Sequence, residues 1–244
     1  MVCFVLFQGG GAQLSDWEPL VTELKKLGTV YQYQNLAYNV FSYLGQSKTA
    51  DKNLSFNMQY LNMDKHIDMV YKQVSHHKHL IPVAWSAGGY FARAFAQKYT
   101  CDRMILIDPV MIEYNNILDR YKKIYSDFKK HGTYTNKYLQ QIITSVKTKH
   151  DLPSAIKMMD FVHSLWTKYA MDKIKPSKIP VLIFYNYKGK KKNGEFSDVC
   201  INREIKYLHE HEPAIIKTCV GVGHNIFYYN TKWLMNIALN YTTT

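Results

Sequence analysis

The chain has 244 residues, 47% of them hydrophobic, which is enough for one domain with a full core and too apolar for a disordered segment. Its formal charge of +12 favours anionic partners, but the basic residues are dispersed apart from Lys188 to Lys192, and without zinc-finger or RNP-type spacing nucleic acid is a poor fit. No apolar run approaches the roughly 20 residues that span a bilayer, and Met1 to Phe7 is too short, and too poor in basic residues, for a secretory signal.

Four cysteines, Cys3, Cys101, Cys200 and Cys219, are scattered without a C-x-x-C pair, so neither a disulfide framework nor a zinc site is expected. Reduced thiols in a cytoplasmic protein are the expected state. The sequon Asn53-Leu54-Ser55 is expected to carry no glycan in the absence of a signal.

Val2 to Phe7 is continuously apolar, the mark of a strand covered on both faces and hence of a parallel sheet. After Gly9 to Gly11, the segment Asp16 to Leu27 reads as an amphipathic helix with Trp17, Leu20, Val21, Leu24 and Leu27 on one stripe. Thr29 to Tyr33 is a short second strand, and 35–62 is polar, aromatic and aperiodic. Met63 to Val74 is a helix, Leu80 to Trp85 a strand, Gly88 to Lys98 a helix, and Met104 to Ile107 a strand closed by Asp108-Pro109.

No strand pattern appears from 110 to about 178, where three helical stretches are broken by Gly132 and Pro153. The sheet resumes at Ile179 to Tyr185. A Lys/Gly loop leads to Asp198, followed by a helix over Ile201 to His211, a strand over Ala214 to Val220, the turn Gly221-Val222-Gly223-His224 and a helix over Thr231 to Tyr241. This alternation predicts an α/β fold: a doubly wound, mostly parallel sheet formed by 1–110 and 179–244, with 111–178 as a helical lid insertion.

In doubly wound sheets, reactive groups gather beyond the carboxyl ends of the strands. Ser86 follows one such strand directly, in Ala84-Trp85-Ser86-Ala87-Gly88-Gly89. A strand that turns this sharply into a helix crowds its own backbone and tolerates only small residues two before and two after the tip, here Ala84 and Gly88. Ser86 is therefore a candidate nucleophile.

A serine hydroxyl needs a general base, and His224, in a glycine-flanked turn after the last strand, is the histidine placed to serve. His76, His77 and His79 cluster without a carboxylate to complete a metal site, and read as a solvated loop. Three acids stand after strands and suit the base: Asp198 is the first choice, with Asp108 and Glu195 as alternatives. Asp108-Pro109 also has a plain reading as a strand terminator. The oxyanion would take backbone N–H groups from Ala87, at a helix N-terminus, and from Gly10. Gly9 to Gly11 lacks the G-x-G-x-x-G and Lys-Ser/Thr signatures of a nucleotide loop, so no cofactor is expected.

These segments together resemble the α/β-hydrolases. Phe7-Gln8-Gly9-Gly10 is similar to their His-Gly-x oxyanion segment, with Gln8 in place of histidine. Ala84-Trp85-Ser86-Ala87-Gly88-Gly89 is similar to their nucleophile elbow, with Ala84 in place of the first glycine, and Gly221-Val222-Gly223-His224 to the turn carrying the base. The resemblance implies a triad of Ser86, Asp198 and His224 with Gly10 and Ala87 as the oxyanion hole.

The expected function is cleavage of a small acyl ester or thioester, on an anionic carrier in one version, with Met158, Met159, Phe161, Val162, Leu165 and Trp166 as candidate lid lining. The alternatives are a hydrolase-shaped binding or scaffold protein without turnover, and an acyltransferase or peptidase on the same scaffold.

Overall fold

The computed structural model describes residues 1–9, 14–33, 62–109, 173–187, 198–220, 223–224 and 226–243, with isolated positions at 126, 130, 164, 168 and 169. Most of the expected lid insertion and its lining, the 35–61 segment, Gly10 and Glu195 lie outside the described residues.

Among the described residues, six strands form one sheet: β1 (Val2–Phe7), β2 (Thr29–Tyr33), β3 (His79–Trp85), β4 (Met104–Ile107), β5 (Val181–Tyr187) and β6 (Ala214–Val220). Their order is β2-β1-β3-β4-β5-β6, and every pairing is parallel. The helices are α1 (Glu18–Leu24), entered through a 3₁₀ turn over Leu14–Trp17, α2 (Met63–Val74), α3 (Gly88–Lys98), α4 (Asp198–His211), α5 (Ile226–Tyr229) and α6 (Thr231–Thr243).

Alternate residues of a strand face opposite ways, so a strand apolar throughout needs cover on both sides. Cys3, Val5 and Phe7 of β1 pack with α2, α3 and α4. Phe4 and Leu6 pack with α1, α5 and α6 on the other side. The sheet is doubly wound, as its continuous apolar strands predict.

The boundaries differ from expectation in three places. Residues 25–27 form a turn rather than the last turn of α1. At β5, Pro180 lacks an N–H and its carbonyl accepts from the Met104 N–H at 3.0 Å, so the strand starts at Val181 and runs on to Tyr187. The helix expected from Ile201 begins at Asp198, which puts that carboxylate in the first turn of α4. The four residues of α5 are too few to show a helical period.

One buried ion pair ties the two halves of the sheet together. Both guanidinium Nη atoms of Arg93, on α3, donate to the Glu212 carboxylate between α4 and β6, Nη1 to Oε2 at 2.9 Å and Nη2 to Oε1. Both side chains are almost fully enclosed. The forked geometry offsets much of the desolvation of two charges, while removal of one partner would strand the other at a cost of about 3–5 kcal/mol.

His66, on α2, is fully buried, with its ring edge-on to Phe91 at 4.9 Å. Burial lowers its pKa to about 3. In the unfolded chain the ring titrates near 6.5. The folded state therefore refuses a proton that the unfolded state accepts between those two values. Stability should fall as pH drops from about 6.5 towards 3, by up to about 1.4 kcal/mol per unit. Urea midpoints at pH 7 and pH 5 test this: His66→Leu should flatten the dependence, and an equally steep loss in that variant would remove His66 as its source.

Cys3 and Cys101 are buried thiols, pushed by burial to about 11 and about 12, and Cys219, half-buried, to about 11. All three are poor nucleophiles. Among the described residues, no helix is long and apolar enough to cross a membrane.

Candidate active site

β3 ends at Trp85, and the chain turns at once into α3. Ser86 has φ 53°, the left-handed region that costs a side-chain-bearing residue roughly 1–2 kcal/mol. The strain is held by a Ser86 N–H bond to the Ile107 carbonyl (3.1 Å) and a Gly89 N–H bond to the Ser86 carbonyl (3.0 Å).

Small neighbours make the turn possible. Ala84 is fully enclosed between β1 and β4, in register with Phe7 and Leu106. At Gly88 a Cβ would lie 2.1 Å from the Phe7 carbonyl oxygen, so α3 approaches β1 as only glycine allows. A Cβ on Gly9 would meet the Ser86 Cβ at 2.9 Å, so the chain leaving β1 runs along the elbow. Ala87 stands at the N-terminal end of α3, and Gln8 is buried in the chain leaving β1, its carbonyl 2.7 Å from where a Gly88 Cβ would stand.

Asp108 emerges from the adjacent strand one step further on, since Trp85 and Ile107 are register partners. It too has a positive φ, 40°, a conformation aspartate adopts more readily than most residues. Its N–H donates to the Phe184 carbonyl at 2.6 Å, and its carboxylate is almost wholly enclosed. The Asn186 N–H donates to Oδ1 at 3.0 Å. The other oxygen, Oδ2, lies 2.7 Å from His224 Nδ1.

His224 is carried by a turn in which Gly223 has φ +85°. Its carbonyl accepts from the Trp85 indole Nε1 at 2.9 Å, and the two rings lie 5.0 Å apart. The serine's chain neighbour therefore touches the histidine. The imidazole is about a quarter exposed, whereas the carboxylate against it is 2% exposed.

The acid is where the structure departs from expectation. Asp108, the alternative acid, faces His224. Asp198 opens α4, where a negative charge suits the helix N-terminus. It lies close enough to Tyr187 to add to the burial that pushes that phenol's pKa up. Ten residues separate β5 from Asp198, whereas Asp108 follows Ile107 directly and is delivered by the strand beside the serine's own.

Two features around the histidine escaped the sequence reading. Trp85 was visible as part of the elbow next to Ser86, but not as a partner of His224. Helix α5, which follows the histidine turn, is anchored by the buried pair Ile226 and Phe227, the latter against Trp85.

The histidines expected in a solvated loop lie away from this site. His76 and His77 stand together after α2, while His79 meets Asp102 at 2.9 Å at the exposed start of β3. No group of three metal-ligating side chains occurs among the described residues. An open cleft of about 520 Å³, lined by Arg93, Met104, Lys175 and Ile179 among others, lies at the opposite end of the strands and touches none of these groups.

No family model matches the chain, and no curated protein matches it in sequence. Solved structures do match it in shape. An α/β hydrolase enzyme from a Medee basin deep-sea metagenome library is 16% identical, with a TM-score of 0.60 over 99% of this chain and 89% of that one. MenH from S. aureus is 14% identical, with a TM-score of 0.60 over 99% and 93%. A thermophilic esterase from Thermogutta terrifontis is 12% identical, with a TM-score of 0.59 over 100% and 90%. Identity this low speaks to architecture alone, and the architecture is that of the α/β-hydrolase fold.

Proposed function

We propose that the chain is a serine hydrolase that cleaves a small ester or thioester, with Ser86 as nucleophile, His224 as base and Asp108 as acid. The observation that carries this reading is the 2.7 Å pairing of His224 Nδ1 with an enclosed carboxylate, on a turn held by the residue next to Ser86.

With Nδ1–H donated to Asp108, the other ring nitrogen is left to accept a proton. His224 takes the Ser86 proton as Oγ attacks the acyl carbon. The oxyanion receives the Ala87 N–H at the start of α3, with Gly10 as the proposed second donor. Collapse of the tetrahedral intermediate expels the alcohol or thiol, which leaves with the proton from His224. Water, deprotonated by the same ring, then attacks the acyl-enzyme and frees the acid and Ser86. Ester- and hydrolase-directed chemistry in the proteins of like fold, a carboxylesterase from Bacillus subtilis and a meta-cleavage product hydrolase among them, agrees with this.

A fluorophosphonate probe tests the reading, because it reacts covalently with an activated serine. The folded protein should label, and Ser86→Ala should abolish labelling completely. Absence of labelling in the unmodified protein would overturn the reading in favour of a hydrolase-shaped binding protein. If it labels, p-nitrophenyl esters of increasing chain length would report the acyl pocket.

A further inference from the structure

The aromatic cluster under the elbow contains two tryptophans with different tasks. Trp17 is stacked on Phe227 (5.1 Å between centroids, 6° between planes), and Trp85 meets Phe227 edge-on at 5.3 Å. The two indoles meet each other edge-on at 6.4 Å. Both are buried. The Trp17 Nε1 has no hydrogen-bond partner among the described residues, whereas the Trp85 Nε1 donates to the backbone carbonyl of His224.

A buried indole N–H usually finds a partner. In this cluster the one that does so is next to Ser86 in sequence, and it holds the histidine that faces Asp108.

We propose that Trp85 is a positioning residue that fixes the His224 backbone relative to Ser86, so that the nucleophile and its base are set by one rigid side chain. The proposal rests on the serine-hydrolase reading for its kinetic consequence but not for its geometry. The His224 turn needs such an anchor. It is short and glycine-flanked, and its ring is partly open to solvent. Strand β3 holds the Trp85 backbone through its pairing with β4, and the ring packs edge-on against Phe227. The indole therefore transfers the rigidity of the sheet to a loop that begins beyond the edge strand. Small displacements between reacting groups are costly: about 1 Å can lower a rate about a hundredfold.

The test compares one chemical change at two places. Trp85→Phe removes the N–H and keeps an aromatic ring; Trp17→Phe makes the same change where no hydrogen bond is lost. Two readouts are used: the second-order rate of fluorophosphonate labelling, and the far-downfield proton resonance of His224 Nδ1–H, assigned by its loss in His224→Gln.

Trp85→Phe should slow labelling tenfold or more and broaden or abolish the resonance. Trp17→Phe should leave both within about twofold of the unmodified protein. An unchanged rate and resonance in Trp85→Phe would overturn the proposal, as would equal losses in Trp17→Phe. If the unmodified protein does not label, the hydrolase reading fails, and the resonance alone then decides the role of Trp85. Should Trp85→Phe not fold, replacement of Trp85 by its benzothiophene isostere, which exchanges only N–H for sulfur, gives the same two readouts.

Discussion

Asp108→Asn is expected to lower the rate of fluorophosphonate labelling, and of ester turnover, by about 10⁴-fold while the protein stays folded. The reason is a tautomer. Asparagine keeps an oxygen to accept the Asn186 N–H, and it tolerates the positive φ at position 108. Its amide NH₂, however, would face His224 where a carboxylate oxygen now stands. The ring would then accept at Nδ1 and carry its proton on Nε2, leaving nothing to take the serine proton. Asp198→Asn, at the head of α4, should leave the rate within about twofold. Labelling kinetics of the two variants side by side decide between the acids, and a large loss confined to Asp198→Asn would reverse the assignment.

Gly88→Ala should be the most damaging single methyl in the described part of the chain. The new Cβ would stand 2.1 Å from the Phe7 carbonyl oxygen and 2.7 Å from that of Gln8. Both are backbone atoms, and neither can swing aside as the tip of a side chain would. Relief requires α3 to lift away from β1, taking Ala87 and Ser86 with it and opening the contacts of Tyr90, Phe91 and Phe95 with the core. Overpacking of this kind costs about 3 kcal/mol. For a chain of this length that corresponds to a fall in Tm of roughly 6–12 °C. Differential scanning calorimetry measures it, and labelling of the folded variant below its Tm should fall as well, because the elbow moves with the helix. An unchanged Tm would show that α3 and β1 do not approach this closely.

The legible part of the molecule was whatever local crowding and two-sided burial write into a sequence. Strands covered on both faces must be apolar throughout, so β1, β3 and β4 could be read almost to the residue. The elbow was legible because a turn this tight excludes side chains at Gly88 and admits only a methyl at Ala84. The acid was not. Asp108 and Asp198 both follow strands, and which one meets His224 depends on where β5 ends and where α4 begins. β5 ran past Tyr185 to Tyr187 and Asp198 itself became the start of α4, facts of pairing rather than of pattern. Trp85 was equally opaque: the destination of its indole N–H is a carbonyl 139 residues away.

That separation has a consequence for how the molecule comes into being. His224 meets Asp108 across 116 residues and Trp85 across 139, and Arg93 meets Glu212 across 119. Each of these links joins the first half of the chain to its last quarter. Among the described strands β6, which delivers the histidine, pairs with β5 alone, so it can be added after β1 to β5 have paired. Ser86 and Asp108 leave the ribosome long before His224 does. Closing such long loops is the slow step in assembly. A nascent chain therefore carries its strained serine and its enclosed acid without the ring that joins them, and the site becomes whole only when the C-terminus docks.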